Sequence, residues 1–265
     1  MKPSYINPAY ETFRHECSHE IRAQGHDSVL VTMTQNWLNR AQDHKYPYHF
    51  EWLGRPIIQY PQDIVAMQEL IWQVKPDLII ETGIAHGGSL IFSASMLTLL
   101  DVCEAIEAGQ PYDPAASRRK VVGIDIEIRP HNRVAIEAHP MATRIQMIEG
   151  SSIAPEVIAQ VKTIAQGYER VLVCLDSNHT HDHVLAELEA YAPLVSVGSY
   201  CVVFDTLIED MPAGSFPNRP WDKGNNPKTA VWEFLKTHPE FEIDKSIQHK
   251  LLITVAPDGY LKRIA

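Results

Sequence analysis

The chain has 265 residues, 45% of them hydrophobic and 21% charged, which suffices for one large core or two modest ones and is ordinary for a globular protein. Lys+Arg 23 against Asp+Glu 33 leaves a formal net charge of −10, which argues against a nucleic-acid partner held through its phosphates but not against a small anion held by local dipoles. The four cysteines, Cys17, Cys103, Cys174 and Cys201, are widely spaced without a C-x-x-C pair and read as reduced thiols, the last two buried in strands.

The start, "MKPSYINPAYETFRHECSHE", has no apolar segment after its lysine, so no secretory leader is expected and the cytoplasm is the expected location. Residues 1–55 are polar, rich in aromatic residues and histidine, and weakly periodic; they read as an N-terminal helical extension capping a domain of 56–265. Ile64, Met67, Leu70, Ile71 and Val74 recur at helical spacing between Pro61, a good first-turn residue, and Pro76, which stops the helix. Short apolar runs follow, each closing on an acid or a turn: "DLIIE" (77–81), "KVVGIDI" (120–126), "RIQMIEG" (144–150), "RVLVCLD" (170–176) and "SYCVVFD" (199–205). Amphipathic stretches separate them, one at Ser89–Leu100 and another marked by Val184, Leu185, Leu188 and Tyr191. The longest apolar run, "SLIFSASMLTLLDV", is too short and too rich in Ser and Thr to span a bilayer, so no membrane span is expected.

Strands that are continuously apolar and alternate with helices predict a mostly parallel sheet covered on both faces. Asn226-Pro227 starts a further helix with Ala230, Val231, Phe234 and Leu235 on its apolar side. The tail, "FEIDKS", "KLLITV" and, after Pro257-Asp258-Gly259, "YLKRI", reads as two or three closing strands with at least one antiparallel pair. The expected fold is a single α/β domain with the helical extension laid over it.

In open parallel sheets ligands bind beyond the carboxyl ends of the strands. Those ends carry Glu81, Asp125, Glu149, Asp176 and Asp205. After the first comes "ETGIAHGGSL" (81–90), which is not the dinucleotide pattern G-x-G-x-x-G. Gly83 and Gly87-Gly88 permit positive φ and close approach of a ligand, and Ser89 is placed to cap a helix whose N-terminal amides favour an anion. Glu81 would repel a pyrophosphate and suit an ammonium group, so the loop fits an α-amino acid headgroup better than a dinucleotide.

The spacing E-x-G-x-x-x-G-x-S resembles the S-adenosylmethionine loop of small-molecule O-methyltransferases such as catechol O-methyltransferase. More closely, "PDLIIETGIAHGGSLIFSASML" is similar to the cephalosporin hydroxylase family, which despite its name has the Rossmann-like class I methyltransferase fold. The resemblance runs from about Arg55 to Asn226, through "DSNHTHDHVLAELEAYAPLV" and "GSYCVVFDT" to "GNNPKTAVWEFL". It implies S-adenosylmethionine as cofactor, held by Glu81, Gly83, Ala85, Gly87, Ser89, Asp125, Ser151 and Asp176, with Asp125 facing the ribose and Glu149–Ser152 near the adenine. It also implies a homo-oligomer, Mg²⁺ as second cofactor, and a hydroxyl of a sugar or natural-product scaffold as methyl acceptor.

The second dense site is "LDSNHTHDHV" (175–184). Methyl transfer to a hydroxyl needs the acceptor proton removed, and a histidine titrating near neutrality can take it. His179 stands three positions after Asp176, as the base does in the related metal-dependent enzymes, which makes His179 and Asp176 the catalytic candidates. For the metal the resemblance points to Asp176 and to two adjacent residues ending the next strand. Here that pair is Phe204-Asp205, so Asp205 is the second ligand and Phe204 departs from the pattern. His181 and His183 read as residues of the loop and of the following helix start.

Three other readings use the same residues. A dinuclear zinc hydrolase needs H-x-H-x-D-H, and H-x-H-D-H is one residue short. A ferrous hydroxylase needs a two-histidine-one-carboxylate face, for which His179, His181 and Asp176 would serve. A cofactor-binding protein without catalysis draws on Phe204. Two further segments flank the site: Gln59–Asp63 as part of a cap over the cofactor, and "RPWDKGNNPK" (219–228), with Trp221, as a lid.

Overall fold

The computed structural model describes residues 8–265; the first residues of the 1–55 extension, 1–7, lie outside the described part. The extension begins with helices α1 (Pro8–His26) and α2 (Ser28–Gln42), the second capped by Asp27, whose carboxylate accepts from the amides of Val29 and Leu30 at 3.0 Å. A hairpin that the weak periodicity did not announce follows, β1 (Phe50–Trp52) against β2 (Arg55–Ile57), turning on Leu53 and Gly54, both at positive φ. The boundary at residue 55 therefore falls inside a paired strand.

The main sheet contains β3 (Leu78–Thr82), β4 (Lys120–Asp125), β5 (Ile145–Glu149), β6 (Val171–Leu175), β7 (Tyr200–Val203), β8 (Phe241–Ile243) and β9 (Tyr260–Arg263). Their order is β5-β4-β3-β6-β7-β9-β8, parallel except that β9 runs antiparallel to both β7 and β8. Helices α3 (Pro61–Val74), α4 (Gly88–Ala108), α5 (Pro130–Glu137), α6 (Pro155–Ala165), α7 (His181–Tyr191), α8 (Pro227–Phe234) and α9 (Lys245–Leu251) complete the layers. This is the class I methyltransferase arrangement that the resemblance implied.

Strand alternation divides the core in two. Ile79, Val121, Leu172, Cys174, Tyr200 and Val202 face one layer, and Leu78, Ile80, Val122, Val173, Cys201 and Val203 face the other. Phe204 continues the first series and is 6% exposed, so the period of two sends this side chain into the core. Cys174 and Cys201 are buried free thiols.

Helix α4 runs two turns beyond Leu100, because the polar stretch after it continues the helix to Ala108 before Gly109 ends it at φ +65°. At this length α4 is long and apolar enough to cross a membrane, yet Leu90, Ile91, Phe92, Met96, Leu97 and Leu100 are spent on the core. Among the described residues no other helix meets that test. The stretch after it is tied down by Arg119 and Arg144, both paired with Asp101, Arg119 also with Glu104.

The tail differs from expectation at "KLLITV". Asp244 accepts from Ser246 N at 3.1 Å and starts α9, which takes Lys250 and Leu251; Leu252 then turns at φ +58°. Val255 gives its amide to Asp63 Oδ2 at 2.9 Å rather than to a neighbouring strand. Asp63 is fully buried and also accepts from the hydroxyls of Thr254 and Tyr260, so it anchors the loop to α3 and does not reach the cofactor cap. Burial pushes its carboxyl up to about 6. The native state thus holds this proton more tightly than the unfolded chain, whose carboxyl titrates near 4. The resulting stabilisation is full below about pH 4 and is lost as pH rises to about 6, a difference on the order of 3 kcal/mol. Urea unfolding at pH 4.5 and 6.5 is expected to show the wild type losing stability relative to Asp63→Asn over that interval, and parallel behaviour would refute it.

Candidate active site

Residues from seven parts of the chain line a cavity of about 840 Å³ at the carboxyl ends of β3, β6 and β7. The loop Gly83–Ser89 forms one wall. Gly83 sits at φ +89°, where an added Cβ would overlap the carbonyl oxygen of Asp176; this glycine lets the ends of β3 and β6 lie side by side. At Gly87 and Gly88 the obstacles are Ile136 and the Pro56 carbonyl, so those glycines serve packing against α5 and the hairpin. Ala85 is itself at φ +45°.

The loop is clamped from both sides. Arg55 donates to the His86 carbonyl at 2.6 and 3.0 Å and to Asn132 Oδ1 at 3.1 Å, while Asn132 Nδ2 donates to the Ala85 carbonyl at 2.8 Å. Asp125 Oδ2 accepts from the amides of Ile84 and Ala85 at 2.8 and 3.3 Å. Among the described residues the amides of Gly88, Ser89 and Leu90 in the first turn of α4 have no backbone acceptor, so the helix presents an anion-binding end to the cavity wall.

Ser89 is not the helix cap the sequence suggested. Gly87 occupies the cap position with a left-handed conformation, and the Ser89 hydroxyl donates to Glu81 Oε1 instead. Glu81 is 4% exposed, and burial raises its carboxyl to about 7 against the opposing effect of that hydrogen bond. It lines a small adjoining cavity, together with Gln59, Asp63, Phe204 and Asp176, rather than the main one.

At the other wall Asp176, His179 and Asp205 come together, with one ligand atom of each within 4.8 Å of the others. His179 Nε2 lies 3.3 Å from Asp205 Oδ2, and its ring meets Trp221 edge-on at a centroid distance of 4.6 Å. Trp221 thus belongs to the site. Burial, then the nearby charges of Asp205 and Glu81, push the Asp176 carboxyl well above the usual range. Gln59 Nε2 donates to Asp176 Oδ2 at 3.4 Å, and Gln59 Oε1 is buried without a partner.

Gly83, Ala85, Gly87, Ser89, Asp176, His179 and Asp205 therefore share the main cavity, whereas Glu81, Asp125 and Ser151 stand outside its lining. The remaining histidines go elsewhere. His181 opens α7 with Nδ1 2.9 Å from Thr229 Oγ1, which leaves no two-histidine face beside Asp176. His183 stands in the first turn of α7, as expected, and turns inward; its Nε2 lies 3.0 Å from Ser152 Oγ and 3.6 Å from Glu187. Sequence reading missed Arg55, Asn132 and Arg129, and had Arg219 only as the first residue of the lid segment. The first two clamp the loop and the others line the cavity.

Comparison with known proteins places this cavity. The model of the rhamnosyl O-methyltransferase/CmcI family matches residues 44–264. The chain belongs to that family. It is 28% identical over 214 residues to the rhamnosyl O-methyltransferase of Mycobacterium leprae, covering 80% of this chain and 82% of the relative. The rhamnosyl O-methyltransferase of Mycobacterium tuberculosis H37Rv is 29% identical over 206 residues, covering 76% and 73%. Among solved structures, CmcI with Mg and SAM superposes at TM-score 0.52 and 16% identity, covering 82% of this chain and 78% of that one. CmcI with SAH gives 0.53 and 18%, covering 82% and 83%. The fold is shared with these, and the O-methyltransferase class follows from the family.

Proposed function

We propose that this O-methyltransferase uses S-adenosylmethionine to methylate a hydroxyl of a saccharide or related natural product, with His179 as general base and a divalent cation beside it. The observation that carries the reading is that one cavity holds both the open N-terminus of α4, under a clamped glycine loop, and the Asp176–His179–Asp205 cluster. The free first-turn amides suit the carboxylate of an amino-acid headgroup, and Gly83, Ala85, Gly87 and Ser89 would bound that end. Asp125 contributes by holding the loop amides and, with Ser151 further along, would meet the ribose and adenine.

When bound, S-adenosylmethionine supplies an electrophilic methyl group: its C–S bond breaks as the acceptor O–C bond forms, leaving a neutral thioether. The proton leaving the acceptor oxygen goes to His179. Asp205, 3.3 Å from Nε2, stabilises the imidazolium that results, and the edge contact with Trp221 keeps the ring from turning away. Trp221 and Phe216 on the lid side also keep water from the forming bond.

Residues fit a divalent cation as well. Asp176 and Asp205 set carboxylates side by side, burial and that neighbouring charge raise the Asp176 carboxyl, and the partnerless Gln59 Oε1 adds a neutral oxygen donor next to them. Mg²⁺ accepts such a set, with water filling its remaining positions. Asp176 and Asp205 would hold it, and it would lower the pKa of the acceptor hydroxyl. Phe204 contributes nothing here, since its ring is in the core.

Self-association is part of the same reading. Helices α1 and α2 expose Tyr10, Phe13, Val29 and Met33.

Titration calorimetry with S-adenosylhomocysteine, with and without Mg²⁺, tests the assignment. Binding at about micromolar Kd or tighter is expected, near −8 kcal/mol. Asp176→Asn is expected to abolish the response to Mg²⁺. A protein that does not bind S-adenosylhomocysteine is not a methyltransferase of this kind.

A further inference from the structure

The chain carries an excess of acids, yet the cavity carries cations that, among the described residues, have no acidic partner. Lys45, Arg129 and Arg219 all line it. Among the described residues none of their side chains takes part in an ion pair or a hydrogen bond. The acids of the same lining are otherwise engaged. Asp43 is paired with Arg40 at 2.8 Å, and Asp176 and Asp205 belong to the cluster around His179. With a sulfonium and a divalent cation facing that cluster, its negative charge is compensated, and the three cations remain for other partners.

Arg129 is accounted for by the cofactor. It immediately precedes α5, whose Asn132 touches the loop at Ala85, and so it lies on the side of the amino-acid carboxylate. Lys45 and Arg219 lie elsewhere. Lys45 comes from the turn after α2, in the cap formed by the N-terminal extension. Arg219 is on the lid, its guanidinium 5.1 Å from the centroid of Trp221. Trp221 in turn meets His179. In series, these two contacts set a guanidinium within a disaccharide's length of the base. An arginine held against an aromatic face keeps its donor fork pre-organised for a planar or tetrahedral anion.

We infer that the acceptor is an acidic saccharide, one that bears a carboxylate or a phosphate, whose anionic group is received by Arg219 and Lys45 while its hydroxyl is presented to His179. The inference rests on the methyl-transfer reading and narrows its substrate class. Arg219 is then a specificity-determining residue. It touches the acceptor's charge and not the reacting atoms, so its removal raises KM and leaves the chemistry intact.

The test uses the full chain saturated with S-adenosylhomocysteine and three probes that differ only at carbon 6: methyl glucoside, methyl glucuronoside and methyl glucoside 6-phosphate. Calorimetry is expected to give at least about tenfold tighter binding for one of the charged probes than for the neutral one, the gain of one charge-assisted contact. Preference for the uronate identifies a carboxylate, and preference for the phosphate ester a phosphorylated sugar. Arg219→Gln is expected to erase the preference without altering the affinity for S-adenosylhomocysteine. Equal or tighter binding of the neutral probe, no binding of any probe, or a preference that survives Arg219→Gln overturns the inference. Failure of S-adenosylhomocysteine itself to bind, read in the preceding titration, overturns instead the methyl-transfer reading on which it rests.

Discussion

Replacing His179 with alanine is expected to lower methyl transfer by about 10²–10⁴-fold, the usual contribution of a positioned general base, and to leave affinity for S-adenosylhomocysteine within about twofold. The asymmetry follows from where the side chain sits. His179 is in the loop before α7, its imidazole facing Asp205 and Trp221, whereas the glycine loop is held by Arg55, Asn132 and Asp125. Among the described residues none of Gly83, Ala85, Gly87 and Ser89 hydrogen-bonds to His179. His181 is the informative contrast. It is two residues away, but its ring is committed to Thr229 and its amide to Asn225. Rates of S-adenosylhomocysteine release, measured beside calorimetric affinity, decide the matter. An alanine variant at position 179 that turns over within about threefold of wild type would show the base to be another group, or the cation to act alone.

The parallel sheet, its flanking helices and the antiparallel closing strand were legible because each apolar run was short, β-rich and closed by an acid or a turn. These are local signals. The cluster of Asp176 and Asp205 was legible for a related reason: Asp176 directly follows β6, Asp205 stands two residues past β7, and neighbouring parallel strands bring such ends together. What stayed hidden depends on contacts distant in sequence. Arg55 and Asn132 are 77 positions apart and meet only because the β1–β2 hairpin and α5 close on the same loop. No periodicity marks either as a clamp. Ser89 was misread because its position, just inside a helix start, is where a cap is expected, and nothing local shows that Glu81, back in β3, accepts its hydroxyl. "KLLITV" looks like a strand by composition, and only the buried Asp63, far upstream, reveals why the Val255 amide is not available for pairing. Phe204 is the most instructive case. Read as a departure from a ligand pattern it weakens the metal assignment, but strand alternation from Tyr200 and Val202 assigns the position to the core. The proposed cation would therefore have to be held by Asp176, Asp205 and the neighbouring Gln59 oxygen.

Gly83→Ala is expected to cost about 2–5 kcal/mol of stability and to abolish cofactor binding at once, from a single methyl group. Two penalties combine. At φ +89° the backbone of residue 83 is in a region that an L side chain enters only at a cost of about 1–2 kcal/mol. The new Cβ would also overlap the Asp176 carbonyl oxygen, with the Ser177 Cα just beyond at 3.1 Å. That obstacle is backbone and has no rotamer to move aside; relieving the overlap means separating the ends of β3 and β6, which are joined by the bond from Asp176 N to Thr82 O at 2.9 Å. Separation carries the loop away from Asp125, whose carboxylate holds the amides of Ile84 and Ala85, and displaces Asp176 from Asp205 and Gln59. One substitution thus strikes the anion-binding wall and the acid cluster together. Gly109→Ala provides the control, because its φ is also positive, at +65°, but no atom stands within 4 Å of the added Cβ. It should show the conformational penalty alone, about 1–2 kcal/mol, with cofactor affinity unchanged. Urea midpoints and S-adenosylhomocysteine titrations on the two variants separate the contributions. If Gly83→Ala loses no more stability than Gly109→Ala and still binds the ligand, the close approach of the two strand ends is not what shapes this site.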